Sequence, residues 1–215
     1  MKEFLLNLLD WIYKKKCYFC SRSNESVKMC SACFDKLEFL SFEPNRQYNG
    51  VNIYCAGNYD KYLQKMIRGL KYHGQRELAY YQAKFMWQYW QSLGINGEYQ
   101  IVPVPIYYKR KKHRKYNHME LVAQKFSKLS GYDVNTDLIE RIKDTKPQYK
   151  LNKAQRMLNL SEAFKVYPDK FLPNKKVLII DDICTTGSTF EEMINSFKKV
   201  GINDITCFAT TTPWG

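Results

Sequence analysis

Apolar positions along this chain follow two rhythms. Leu63, Met66, Ile67 and Leu70 recur at three- and four-residue steps, so "YLQKMIRGLKY" (62–72) predicts a helix with one buried face, ended by Gly74. The longer segment "RELAYYQAKFMWQYWQSLG" (76–94) predicts a second helix closed by Gly94, and residues from about 119 to 129 repeat the period. The other rhythm is short and rich in β-branched and aromatic residues. It predicts strands at "NIYCAGNY" (52–59), at "YQIVPVP" (99–105), where Pro103 and Pro105 halt pairing, at "KVLIID" (176–181) and at "DITCFATT" (204–211). A helix from about Ser188 to Val200, capped by Gly201, separates the last two. Strands alternating with helices predict an α/β domain with a mostly parallel sheet, and such sheets bind ligands at the carboxyl ends of their strands.

The opening segment "MKEFLLNLLDWIY" is amphipathic and reads as a helix packed on the body of the protein. Asn7 and Asp10 interrupt it, and no apolar run approaches the ~18 residues a membrane helix needs. It also lacks the layout of a signal peptide. The expectation is a soluble, cytoplasmic protein without a membrane span. Its 215 residues, 45% of them hydrophobic, suffice for one ordinary core and a small appendage.

One stretch joins this pattern to chemistry. In "VLIIDDICTTGST" (177–189) four aliphatic residues run into Asp181 and Asp182, and a hydroxyl-rich loop follows directly before a helix. Amides at the start of that helix have no intrahelical partner, the helix dipole adds positive charge, and Gly187 permits a tight turn. Thr185, Thr186, Ser188 and Thr189 add hydroxyl donors, which together make a cradle for a phosphate monoester. The two carboxylates are acceptors for sugar hydroxyls or for a hydrated magnesium ion. Two diol acceptors followed by a phosphate nest have the shape of a ribose 5-phosphate. An ordinary helix cap with both aspartates facing water is the plainer alternative.

Cysteine spacing suggests a second site. Cys17 and Cys20, then Cys30 and Cys33, form two Cys-x-x-Cys pairs nine residues apart. Two such turns can close a four-thiolate zinc site, which has no open position for water and therefore holds a fold together rather than catalysing. An odd total of seven cysteines without a secretory signal argues against disulfides. Cys55, Cys184 and Cys207 lie in apolar surroundings and are expected to be buried thiols. The expected division is an N-terminal helix and cysteine module over residues 1–45 and an α/β domain over residues 46–215.

Charge points to polyanions. Thirty-four Lys and Arg against 21 Asp and Glu leave a net charge of +13. Lys14 to Lys16 adjoin the cysteine module, and six Lys or Arg with one His fill positions 109–115. Such a run is either a solvated basic loop, a clamp for pyrophosphate, or a track for a phosphodiester backbone with Tyr107, Tyr108 and Tyr116 available for stacking. His113 and His118 are candidate acid–base groups because imidazole titrates near neutrality.

The stretch 177–189 resembles the phosphoribosyl-pyrophosphate (PRPP) binding motif of type I phosphoribosyltransferases, with Cys184 at a position usually aliphatic. In purine-salvage members an acid stands where this chain has Thr185, so the pattern is nearer to the orotate and amidophosphoribosyl branches. Several segments together resemble the ComF family: the paired cysteines, "LKYHG" (70–74), "VPVP" before a basic loop, and "KPQYKLNKAQRMLNLSEAF". The last carries the family's Gln148, Leu151, Arg156, Asn159, Ala163 and Phe164. Where the family reads Arg-Gly-Phe-Asn-Gln, this chain has Arg114, Lys115, Tyr116, Asn117 and His118.

The resemblance implies a phosphoribosyltransferase-like domain and a cytosolic protein of natural transformation, acting near single-stranded DNA with a helicase-like partner. It also implies that magnesium-bound PRPP sits over residues 181–189, with Asp181 and Asp182 on the ribose hydroxyls and the 185–189 loop on the 5-phosphate. Lys71, Lys109, Arg110 and Arg114 are the candidates for its pyrophosphate or for a DNA backbone. An active phosphoribosyltransferase with an unidentified acceptor, outside DNA uptake, is the alternative.

Overall fold

Strand pairing sets the frame. The computed structural model describes residues 16–22, 27–143 and 163–213, with the side chains of residues 113 and 114 outside that description. The expected opening helix, the Gln148, Leu151, Arg156 and Asn159 positions, and the side chains of His113 and Arg114 thus lie outside the described residues.

Eight strands are present among the described residues. Six form one sheet: β1 (Arg46–Tyr48), β2 (Val51–Asn58), β3 (Tyr99–Pro103), β4 (Asp133–Val134), β7 (Lys176–Ile183) and β8 (Ile205–Thr212), in the order β1-β2-β8-β7-β3-β4. All neighbouring pairs are parallel except β1 with β2. β5 (Ile139–Arg141) and β6 (Phe164–Val166) form a separate antiparallel pair. The mixed α/β architecture with a mostly parallel sheet is as expected. Chain contacts divide the molecule into two compact units, residues 1–38 and 39–215. The smaller contains the short helix α1 (Ser31–Phe34).

Helices cover both faces of the sheet. On one side α3 (Leu78–Ser92) and α5 (His118–Ser130) present Tyr89, Trp90 and Phe126 to Phe208 of β8, with ring centroids 5.5 to 6.3 Å apart. α2 (Lys61–Tyr72) packs beside α3 and is capped by Asp60, whose carboxylate accepts from the amides of Tyr62 and Leu63 at 2.9 and 2.8 Å. On the other side α6 (Ser188–Lys199) sets Phe190, Met193, Ile194 and Phe197 against Ile53, Val177, Ile179 and Cys207. Burial on both faces explains the near-continuous apolar runs in β7 and β8.

Three local features differ from the sequence expectation. β7 continues to Ile183, because Asp181 and Ile183 still pair with Ala209 and Thr211 of β8. A hairpin precedes β2: Asn49 and Gly50, at φ 48° and 77°, form the two-residue turn that brings β1 back antiparallel. The basic run is a short helix, α4 (Tyr108–Arg114), rather than a loop. It ends at Lys115 in the left-handed region, φ 65°, at the position where the ComF pattern has glycine. A side chain there costs about 1–2 kcal/mol, part of which glycine returns as chain entropy in the unfolded state. Lys115→Gly is therefore expected to stabilise the protein by about 0.5–1 kcal/mol, read as a melting temperature higher by about 1–4 °C. A lower melting temperature would show that the Lys115 side chain makes a compensating contact.

Candidate functional site

Asp182, the seventh residue of β7, is buried with 4% of its surface exposed. Such a carboxylate needs partners, and two distant elements supply them. Lys71, near the end of α2, places Nζ 2.6 Å from Asp182 Oδ2, and His118, the first residue of α5, brings Nε2 against the same oxygen. Burial works against the Asp182 charge, but the Lys71 ammonium and then His118 outweigh it and hold the group ionised, well below the usual carboxylate range. Lys71 responds in kind: burial lowers its pKa, attraction to Asp182 outweighs this, and the net shift is upward.

The segment 116–118 positions His118. The Tyr116 hydroxyl donates to the Leu70 carbonyl, tying this segment to α2, and the Arg76 guanidinium lies 4.5 Å above its ring. Asn117 caps α5 by accepting from the Met119 amide at 3.0 Å, and its Nδ2 donates to the Val104 carbonyl at 3.1 Å, which fixes the helix start to the end of β3. His118 then faces Asp182, 4% exposed. This revises two expectations. Tyr116 uses its hydroxyl and one ring face within its own fold, and His118, a candidate acid–base group, is the buried partner of an acid.

Asp181 differs from its neighbour. It points to the α6 side of the sheet, is partly exposed, and accepts the Asp182 amide at 2.8 Å. Burial and the adjacent Asp182 charge push its carboxyl up to about 7, while Lys71 and Arg141 pull the other way. The two acids therefore divide the work. Asp182 is a fixed anion, and Asp181 is poised near neutrality to accept or donate a hydrogen bond. Behind them Gln82 donates to Thr210 Oγ1 at 2.7 Å, and that hydroxyl donates to the Asp181 carbonyl at 3.5 Å.

The loop after β7 turns as its composition suggested. Gly187 adopts φ 84°, a conformation that strains other residues, and caps α6. Thr186 Oγ1 and Ser188 Oγ are 2.7 Å apart, and the Ser188 amide donates to Thr186 Oγ1 at 3.4 Å. Thr185 and Thr189 are partly exposed at either end of the bend. Arg46 of β1 braces the loop from outside by donating to the Thr186 carbonyl at 2.6 Å. The Asn49–Gly50 pair ahead of an apolar run is a hairpin signal that places Arg46 on an edge strand, but it does not mark the contact with Thr186.

The remaining candidate cations are distributed differently from Lys71. Lys109 and Arg110 stand on α4, beyond the end of β3, and Lys111 on the same helix pairs with Glu120 at 2.9 Å. A cleft of about 380 Å³ opens there, lined by Pro105, Ile106, Tyr108, Lys111 and Arg141 among others. The two acids do not line it, but Arg141 connects the two places, since its charge acts on Asp181.

In the N-terminal unit the sulfurs of Cys17, Cys20, Cys30 and Cys33 all lie within 4.8 Å of one another. Zinc bound at about 2.3 Å by four thiolates requires sulfurs about 3.8 Å apart, and Cys20 and Cys30 stand at 3.8 Å. Amides of Phe19 and Cys30 point at Cys17 Sγ at 3.4 and 3.5 Å, an arrangement that favours thiolate. The cluster could hold a tetrahedral metal ion. Cys55, Cys184 and Cys207 are buried thiols, as expected.

Parallel sheet, paired acids and a glycine-turned loop define a class, and comparison with known families agrees: residues 119–212 match the phosphoribosyl transferase domain. The chain is also similar to competence protein F of Haemophilus influenzae, 26% identical over 202 residues, covering 88% of this chain and 86% of that protein. It is 25% identical over 194 residues to the DNA utilization protein YhgH of Salmonella typhimurium, covering 86% and 85%. Competence protein ComFC of Streptococcus pneumoniae matches at 26% over 160 residues, covering 74% and 68%. The chain is thus similar over most of its length to competence protein F and to ComFC, and it combines a segment matching the phosphoribosyl transferase domain with a four-cysteine cluster. Among the described residues no helix is long and apolar enough to cross a membrane.

The Asp181 shift has a consequence for stability. Its folded pKa of about 7 lies above the ordinary 3.8, so the folded state holds a proton that the unfolded state gives up, and stability falls as pH rises between those values. Asp181→Asn removes the cost. Its melting temperature is expected to exceed that of the wild type at pH 8, by the equivalent of roughly 1–3 kcal/mol, and the gap should close towards pH 4. A constant gap across that range would refute the assignment.

Proposed function

We propose that this chain binds a 5-phosphorylated ribose, PRPP in particular, at Asp181–Thr189 and serves DNA uptake in the cytoplasm. The observation that carries this reading is the division of labour between the acids. Asp182 is held as an anion by Lys71 and His118, while Asp181 is partly exposed beside the hydroxyl-rich bend. In this reading Asp181 accepts from the ribose hydroxyls. Asp182 supplies negative charge under the sugar ring, which favours any positive charge that develops there. Thr185, Thr186, Gly187, Ser188 and Thr189 hold the 5-phosphate. Lys71 stands nearest for the pyrophosphate, with Lys109, Arg110 and Arg114 farther along the chain. Magnesium would enter with PRPP and neutralise its phosphates.

The role in DNA uptake draws on the homology to competence protein F, ComFC and YhgH. Net charge of +13 supports a single-stranded DNA ligand in the same role, and a helicase-like protein is the natural partner. The four cysteines fit a structural zinc ion better than a redox pair, because the cluster brings all four sulfurs together.

Calorimetry tests the ligand. Wild type titrated with PRPP and magnesium should give saturable heat, reduced at least tenfold in affinity in Asp181→Asn with Asp182→Asn, since charge-assisted hydrogen bonds of ~1.5–3 kcal/mol are lost. Equal binding by both proteins would reject the site. Release of product from candidate acceptors, followed as pyrophosphate, separates a binding protein from a transferase. For the metal, elemental analysis should find one zinc per chain and none in the variant Cys17→Ser with Cys33→Ser. A wild-type protein purified without stoichiometric metal would count against the zinc module.

A further inference from the structure

Helix α2 carries a feature that the Asp181–Thr189 site does not use. Lys61, Lys65, Arg68 and Tyr72 follow at intervals of four, three and four residues, which aligns them on one face, and all four are exposed. The opposite face buries Leu63, Met66, Ile67 and Leu70. The helix contains four cations and no acid. A solvated helix face usually mixes charges of both signs. Here Lys61–Lys65 and Lys65–Arg68 repel at helical-neighbour spacing, and Lys61 occupies the first turn, where the helix dipole disfavours a cation. A face of one sign on this helix is complementary in charge to a polyanion.

We propose that the exposed face of α2 is a track for single-stranded DNA, leading towards the phosphoribosyl site. This rests on the DNA-binding reading above and locates the surface that would carry it. The cations step by about 5–6 Å along the helix, a spacing suited to consecutive backbone phosphates. Tyr72, 64% exposed at the end of the stripe, offers a ring on which a base can stack, which favours an unpaired strand. Continuity with the site is direct: Lys71, the residue before Tyr72, reaches Asp182. The Tyr116 hydroxyl bonded to the Leu70 carbonyl also brings the end of the Lys-rich α4 segment to the end of α2.

Fluorescence anisotropy with a labelled oligothymidylate and with a duplex of equal length tests the assignment across a salt series. Neutralising three phosphate contacts in Lys61→Gln, Lys65→Gln, Arg68→Gln should lower the slope of log affinity against log salt by about 2 and weaken binding about tenfold or more at low salt. Tyr72→Ala should weaken it about tenfold with the slope unchanged. If the triple variant fails to melt cooperatively, Arg68→Gln alone decides, with a slope change of about 0.7. Wild-type binding with variants of equal affinity and slope would overturn the α2 track and leave the DNA reading standing. Absence of wild-type binding would remove both, and duplex binding as tight as single-strand binding would overturn the single-strand assignment.

Discussion

A buried negative charge organises this molecule. Asp182 sits at the end of a central strand where water cannot solvate it, and it persists because Lys71 and His118 converge on one of its oxygens. Removing one partner from a buried ion pair costs about 3–5 kcal/mol, so the ends of α2 and α5 are held where they are by the acid they serve. The residues come from positions 71, 118 and 182, and only the packing of two helices on the same face of the sheet unites them.

The same charge sets the chemistry beside it. With Asp182 fixed as an anion, its neighbour pays for ionising, and Asp181 is raised towards neutrality. The two adjacent carboxylates thereby acquire different roles through the pleat of one strand: odd and even residues of β7 face different helices. A strand that ended at Asp181 would lose this, so the extension of β7 to Ile183 is what sets the two acids on opposite faces. The bend that follows is held from a third direction by Arg46, which carries the edge hairpin to the loop.

Positive charge is spread rather than concentrated. Lys71 pairs with Asp182, Lys111 pairs with Glu120, and the outward row lies on α2, a helix whose residues 61–72 include no acid. A phosphorylated sugar in the pocket and a polyanion outside it would draw on separate sets of cations.

The sequence by itself determined the periodic elements, the mostly parallel α/β class, the glycine-turned loop after β7 and the four-cysteine cluster, because each rests on residues close together in the chain. Gly187 takes the positive φ its place in the loop demanded, and the two Cys-x-x-Cys turns bring their sulfurs together. Long-range electrostatics stayed illegible. His118 reads as a candidate acid–base group beyond a basic run until helix α5 turns it inward against Asp182, and Tyr116 reads as a stacking ring until it bonds Leu70. Arg46 carries no local mark of its contact with Thr186, 140 residues away. Local rules fix backbone shape, whereas the ionisation of a carboxylate depends on which charges packing brings within a few ångströms, and that only tertiary structure decides.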